Sequence, residues 1–209
     1  MATAFLHYNV PASWLDSQNE RIQQGITRQV HQTIEDAHQE AIRLGDQLAE
    51  GHVDFSSLLK QAHYPTFIYR QGRLVFWSDH TVIPDLDLPP TTTTTTTIRN
   101  NYGTFIVLPH QVEDFYIYTY IPLQIDYGIS NTYLSSGLQK NIFGNASVRL
   151  VLERPGRLPK VFTPDDQFLF AVDYGSDRVD AGFDGLQLIL LALGAVFFIW
   201  FSVQLSSLL

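Results

Sequence analysis

The last part of the chain, from Gly185 to Leu209, contains 25 residues and no charged side chain. At about 1.5 Å per residue, a helix of this length exceeds the hydrocarbon core of a bilayer, which is about 30 Å thick. The alternative is a buried helix of a soluble core, but such helices seldom run so long without a charge. We therefore expect residues 185–209 to form a C-terminal transmembrane helix that tethers a water-soluble domain to a membrane.

The segment before this apolar run, residues 173–184, contains four Asp residues and a single basic residue, Arg178. Positive residues accumulate on the cytoplasmic flanks of membrane spans, whereas acidic residues contribute little to orientation. The flank therefore favours a position outside the cytoplasm. We expect the chain at the inner (cytoplasmic) membrane with its soluble domain in the periplasm.

The charge balance excludes one class of partner. The chain has 13 Lys and Arg against 21 Asp and Glu, a formal net charge of −8, and no run of basic residues. Nucleic-acid binding depends on an excess of positive charge that neutralises phosphates. We expect no nucleic acid among the partners.

The first residues do not resemble a signal peptide, because they contain neither a charged start nor a long apolar stretch. A periplasmic domain would then need an upstream membrane span, and we expect that such a span was lost, with residues 4–6 as its remnant. A cytosolic domain with a C-terminal tail anchor is the open alternative.

Composition indicates one folded domain. The chain contains no Cys, which excludes disulfides, Cys-ligated zinc and Cys nucleophiles. Its apolar residues make up 45% of the sequence and its aromatic residues 13%, which argues against disorder. The soluble part is long enough for a single hydrophobic core.

Apolar residues recur every three or four positions between Pro11 and Glu50, which predicts a helix of about 40 residues and about 60 Å. Gly25 and Gly45 each weaken it by about 1 kcal/mol relative to Ala, so two shorter helices are the alternative. Such a long rod would project towards the membrane or pair with a second copy, and we expect a homodimer. Its apolar face contains Ile22, Ile26, Val30, Ile34, Ala37, Ala41, Leu44 and Leu48.

Strand patterns begin after Pro65. Residues 66–70 and 73–79 flank Gln71-Gly72 and predict a hairpin. The Pro-rich stretch 80–99, with seven consecutive Thr at 91–97, predicts a solvated loop. Further segments predict strands at 103–108, 114–121 (ended by Pro122), 147–153, 161–162 and 167–172, and a short helix within 125–138.

These elements predict an α+β fold in which a long N-terminal helix packs on a mainly antiparallel sheet of five or six strands, followed by the transmembrane helix. We divide the chain into the helix at 1–58, an α+β sensor-like domain at 59–174, a juxtamembrane linker at 175–184 and the membrane span at 185–209.

Catalytic and metal-binding signatures are absent from the sequence: it contains no nucleophile elbow, phosphate-binding loop, zinc-protease motif or dinucleotide fingerprint. His31 and His38 could share a helical face with Glu35 and hold a metal, but a solvated helix surface is the simpler interpretation. Asp85 and Asp87 are better explained as turn residues than as cation ligands. We expect no metal and no cofactor.

The aromatic segment 115–121 supplies the candidate binding residues. Strand alternation places Tyr116, Tyr118 and Tyr120 on one face, and Phe115, Ile117 and Ile121 on the other. Such a strand can line a pocket that offers both rings and hydroxyls. The alternative is a sheet whose Tyr rings pack at its rim beneath the long helix. Trp77 and Asp79, at the end of the hairpin, are the next candidates for ligand binding.

Three sequence elements carry a family resemblance: the hairpin Phe67–Asp79, Asn101-Tyr-Gly, and Tyr120–Tyr127 with Asn131-Thr-Tyr-Leu. Over about residues 59–174 the chain resembles the extracytoplasmic sensor region of membrane-bound histidine kinases of the Bacteroidetes group. The resemblance implies a PAS/CACHE-like sheet and a cytoplasmic kinase core with a phospho-acceptor His and an ATP-binding domain. The motifs of that core do not occur in this sequence, so no catalytic residue is carried over.

The resulting hypothesis is a periplasmic signal-input domain of a two-component histidine kinase, which passes an envelope stimulus to a kinase core absent from this sequence. Its partner would be an unidentified small ligand or envelope protein. The alternative is a membrane-anchored envelope interaction module with no kinase. An enzyme is a third alternative, supported only by scattered polar residues.

Overall fold

The computed structural model describes residues 12–51, 54–79, 93–127 and 136–175, together with Leu193 and Gly194. Contacts divide the chain into two units, Met1–Asp173 and Tyr174–Leu209. Among the described residues, no helix is long and apolar enough to cross a membrane. The span expected at 185–209 lies outside them except for Leu193 and Gly194, so it stays a prediction.

A single helix, α1 (Ala12–Ala49, 38 residues), opens the described chain. Its uninterrupted course confirms the long helix over two shorter ones. Seven of the eight apolar positions that define its predicted face are buried, and Ile22 is half-buried. The burial of this stripe stabilises a helix whose remaining surface is polar.

The N-terminal half of α1 lies on a three-stranded antiparallel sheet. Its strands are β7 (Arg149–Val151), β8 (Lys160–Phe162) and β9 (Phe168–Asp173), in the order β7-β9-β8. Two side chains of α1 hold it there: Gln23 Nε2 donates to the Lys160 carbonyl at 3.3 Å, and His31 Nε2 donates to the Phe162 carbonyl at 2.8 Å. The short helix α3 (Lys140–Phe143) also contacts α1.

The C-terminal half of α1 packs on a six-stranded antiparallel sheet. Its strands run in the order β2-β1-β5-β4-β3, and β6 pairs with β5 beyond this path. Ala41, Leu44 and Leu48 of the helix form one buried cluster with Ile68, Phe76, Phe115 and Ile117 of the sheet. The strands are β1 (Thr66–Arg70), β2 (Arg73–Trp77), β3 (Thr96–Asn100), β4 (Gly103–Val112), β5 (Phe115–Ile125) and β6 (Gly137–Leu138).

Two tight turns set the register of the larger sheet. The predicted hairpin is confirmed: Gln71 (φ 50°) and Gly72 (φ 75°) both adopt the positive φ that a two-residue turn between twisted strands requires. At the β3–β4 turn, Gly103 has φ 146°, and a Cβ atom there would overlap the carbonyl oxygen of Gln124. Glycine is therefore required at the start of β4.

The sequence-based prediction was wrong at two strand boundaries. The loop predicted to run to Arg99 ends earlier, because Thr96 and Thr97 begin β3 and pair with Val107 and Ile106. β-Branched Thr suits a strand once a partner is present. Pro122 does not end β5, which continues to Ile125; the Pro lies beside a register shift opposite Phe105, where a missing N–H is tolerated.

Two further differences concern helices. The helix predicted within 125–138 is replaced by strands at both of its ends, because Ile125 in β5 pairs with Gly137 in β6. Residues 128–135, between these ends, lie outside the described residues. The helix α2 (Phe55–Gln61) was not predicted, and the expected domain boundary between 58 and 59 lies inside it. Asp54 begins α2 by accepting a hydrogen bond from the Ser56 N–H at 3.0 Å.

Candidate functional site

Strand β5 divides its side chains between the two faces of the larger sheet as the sequence predicted. Phe115 and Ile117 belong to the cluster beneath α1. Tyr118 and Tyr120 belong to a separate cluster with Phe67 and Phe105. The tyrosines therefore lie on the face opposite α1 and not beneath the helix.

We call this opposite side the aromatic face. Tyr120 packs edge-on against Phe67 at a ring separation of 5.1 Å and against Phe105 at 6.1 Å. Tyr118 packs edge-on against Tyr69 at 5.7 Å. Each such pair contributes about 0.5–1.5 kcal/mol beyond area burial. The face consists of Phe67, Phe105, Val107, Tyr118 and Tyr120, which are buried, with Tyr69, Ile98, Tyr102 and Tyr116 packed against them.

Two phenols of this face, those of Tyr69 and Tyr118, have raised pKa values and stay protonated at neutral pH. Burial raises the pKa of Tyr118 above its ordinary value, and the neighbouring phenols of Tyr69 and Tyr116 raise it further. Burial also raises the pKa of Tyr69. A neutral phenol can both donate and accept a hydrogen bond, so these side chains offer polar contacts within an aromatic surface.

The five candidate residues extend across this face without forming one cluster. Tyr118 and Tyr120 are buried, whereas Tyr116 is half-buried. Trp77 lies on the edge strand β2 opposite Phe67, which separates it from Tyr118, and is 56% exposed. Asp79 follows the strand and is half-buried. Sequence alternation did not identify Tyr69, although it is paired with Tyr116 on the neighbouring strand.

A groove of about 480 Å³ lies between α2 and β2. Of the five candidates, Trp77 lines it, together with Phe55 and Leu59 of α2 and Val75 of β2. Sequence analysis missed this groove because it did not identify α2. The available signal was Asp54 as a helix cap, followed by Phe55 and Leu59 four positions apart.

Glu40 links α1 to the segment that enters β1. Its side chain is buried, and it accepts hydrogen bonds from the backbone N–H groups of His63 at 2.9 Å and Tyr64 at 3.2 Å. The Nδ1–H of His63 adds a third, at 3.1 Å. A buried carboxylate needs such donors, so these bonds hold the sheet against the helix.

The suggested histidine metal site is not assembled. His31 donates to a strand carbonyl, while the ring of His38 lies edge-on to that of His110 in β4, at 5.9 Å. Within the described ranges, no group of three His, Cys, Asp or Glu residues is placed to hold a metal ion. Asp85 and Asp87 lie outside those ranges.

No protein-family model, curated protein or solved structure matches the chain. The resemblance to sensor kinases therefore remains a prediction. Two features of the described residues bear on function: the aromatic face and the groove between α2 and β2.

Proposed function

We propose that the chain is the signal-input region of a membrane-bound two-component histidine kinase, with a ligand or envelope partner recognised at the aromatic face. The larger sheet is antiparallel and has six strands, in accord with the mainly antiparallel sheet of five or six strands that the resemblance implies. A long helix covers one face of this sheet, also in accord with the proposal.

The observation that carries the proposal is the division of β5 between two environments. Alternate residues contact α1 on one side and the aromatic face on the other. Because protein interiors are close-packed, a ligand that displaces Tyr118 must also move Ile117, which packs beneath the helix. The sheet can thus transmit binding to α1.

The same helix extends the coupling to the smaller sheet. Its N-terminal half is bonded to β8 through Gln23 and His31. The last strand of that sheet, β9, ends at Asp173, and the chain then continues towards the proposed membrane span. A ligand shifts such a system only by its differential affinity for two states, typically about 1–3 kcal/mol.

Removing single hydroxyls tests the proposed site without opening a cavity. A thermal-shift screen of amino acids, sugars and small carboxylates identifies a ligand, and titration then gives its dissociation constant. Because a buried hydroxyl bonded to a ligand contributes about 0.5–1.5 kcal/mol, Tyr118→Phe or Tyr116→Phe should weaken binding up to about tenfold.

Tyr64→Phe is the matched control, because Tyr64 is half-buried at the entry to β1 and not part of the aromatic face. It should bind the ligand as the unaltered protein does. Equal binding by all three variants would show that the ligand does not contact these phenols.

The second candidate function is a membrane-anchored envelope interaction module with no kinase. The exposed apolar groove between α2 and β2 favours it, since such surfaces mark protein contacts. The two candidates differ in the sequence that follows Leu209 in the gene. A helix with a phospho-acceptor His supports the kinase, whereas a stop codon supports the anchored module.

A further inference from the structure

Five large apolar side chains lie exposed on two adjacent elements, α2 and β2. Their exposed fractions are 49% for Phe55, 53% for Leu59, 39% for Leu74, 37% for Val75 and 56% for Trp77. We call them the edge patch. Isolated exposed apolar residues are ordinary, but a contiguous group beside a groove marks a contact surface.

The backbone beside this patch can pair with another strand. β2 is an edge strand and pairs with β1 alone among the described strands. The Ser78 N–H donates to the Thr66 carbonyl at 2.9 Å. Because residues of an antiparallel pair alternate in direction, the N–H and C=O of Trp77 point away from β1.

Helix α2 forms a wall along the same edge. Phe55 stacks on Phe76 with their rings 5.9 Å apart, and Leu59 lies one helical turn further along. The groove between this wall and β2 has a volume of about 480 Å³, within the size range of ligand-binding clefts. An open strand edge beside an apolar groove is the arrangement that binds extended peptides by strand addition.

We propose that the edge patch binds a short extended peptide segment rich in apolar residues, which adds to β2 as a further strand. Its backbone pairs with the outward groups of β2, and alternate side chains enter the groove. This inference concerns the outer edge of β2, which borders the aromatic face through Leu74 and Trp77, and it does not depend on the sensor function.

The size and shape of the patch favour a peptide over a second copy of the chain. Its five partly exposed side chains offer roughly a few hundred Å² of accessible apolar surface. A stable protein interface, in contrast, buries about 800 Å² of surface on each partner. The β1–β2 register shifts between Ile68 and Tyr69, leaving an extra residue, Val75, on β2. Such a bulge twists the edge, and a short flexible segment can follow that twist more easily than the rigid sheet edge of a second copy. A bilayer, in turn, would leave the outward backbone groups unpaired.

The charge at the start of β2 further defines the segment. Of the two Arg residues of the hairpin, Arg70 pairs with Asp114 at 2.7 Å. Arg73 is exposed and has no ion pair among the described residues. The bound segment therefore carries an acidic residue opposite Arg73.

A synthetic peptide of alternating Val and Thr that ends in Asp tests the proposal on the full chain in detergent micelles. Binding is followed by calorimetry for the unaltered chain and for every variant. The control peptide has Pro in place of its central Val, because Pro cannot donate a backbone hydrogen bond. The first peptide should bind, and the control peptide should bind at least tenfold more weakly.

Variants of the patch locate the binding surface. Leu59→Ser and Trp77→Ala should each weaken binding at least tenfold, and Arg73→Gln should weaken it severalfold and reduce its dependence on salt. Arg149→Gln is the matched control, since Arg149 is an exposed residue on β7, the edge strand of the smaller sheet. Each altered side chain is exposed, and an unchanged melting temperature shows that the variant is folded.

The proposal is overturned if the peptide does not bind at millimolar concentration, if the Pro peptide binds equally well, or if Leu59→Ser and Trp77→Ala bind normally. Self-association that Leu59→Ser abolishes would instead assign the patch to a second copy. Binding of the detergent-free chain to phosphatidylcholine vesicles that the same variant abolishes would assign it to a bilayer.

Discussion

At the residue scale, two glycines of α1 have different surroundings. Gly25 is exposed, and a Cβ atom there would meet no other atom within 4 Å. Gly45 is buried, and a Cβ atom would lie 3.2 Å from Val112 Cγ1 and 3.3 Å from His110 Nε2. The second glycine therefore allows the helix to approach β4, whereas the first has no such role.

The two alanine variants should differ in stability. Gly25→Ala should raise the free energy of unfolding by about 1 kcal/mol, the difference in helix propensity. Gly45→Ala should gain less than this or lose stability, because its neighbours must move. Urea unfolding of both variants measures the difference, and equal stabilisation would contradict the close approach of α1 to β4.

His110 makes stability depend on pH. Burial lowers its pKa below the ordinary value, as does His38, while Asp46 acts in the opposite direction. The unfolded chain then binds a proton at higher pH than the folded chain does. The contribution of His110 to stability is therefore fully present above about pH 6.5, the pKa of a His in the unfolded chain. It is lost as the pH falls through the lower pKa of His110 in the folded state.

A comparison of His110→Gln with the unaltered protein isolates this effect from the six other histidines. Melting temperatures between pH 8 and pH 5 should fall less steeply for the variant. His38→Gln should also flatten the profile, but less, because burial is the larger cause of the pKa shift. Parallel profiles for all three proteins would contradict the assignment.

At the element scale, the regular patterns were predictable and their interruptions were not. The spacing of Ile26, Val30 and Leu44 was enough to predict helix α1. The alternation of side chains was enough to predict which residues of β5 share a face. Both predictions depend on local periodicity. The course of β5 through Pro122 depends on a register shift against β4. The start of β3 likewise depends on its partner strand, which periodicity cannot reveal.

The burial of α1 gives a direct test at this scale. Val30 is completely buried, and Val30→Asp places a carboxylate in that interior, which should destabilise the fold by several kcal/mol. Gln29→Asp is the matched control on the exposed side of the same turn and should change stability by less than about 0.5 kcal/mol. Thermal unfolding measures both, and an unchanged melting temperature for Val30→Asp would refute the packing of α1.

At the scale of the whole molecule, the sequence placed three of the five candidate residues on one sheet face but did not show where Trp77 and Asp79 lie relative to them. The face follows from alternation, which locates Tyr116, Tyr118 and Tyr120 together. The separation of Trp77 depends on the strand order, which places β2 at the edge. The groove beside it needs α2, a helix of 7 residues that is too short for a periodic signal.

We propose that this α+β unit is held outside the cytoplasm by a membrane span. The chain contains no Cys, so Ser176→Cys creates a unique thiol in the proposed juxtamembrane linker. The unaltered protein is the control, because it has no thiol that the reagent could label. We expect a membrane-impermeant thiol reagent to label the variant in intact spheroplasts as fully as after lysis. Labelling only after lysis would contradict the extracytoplasmic location and the periplasmic signal-input function that depends on it.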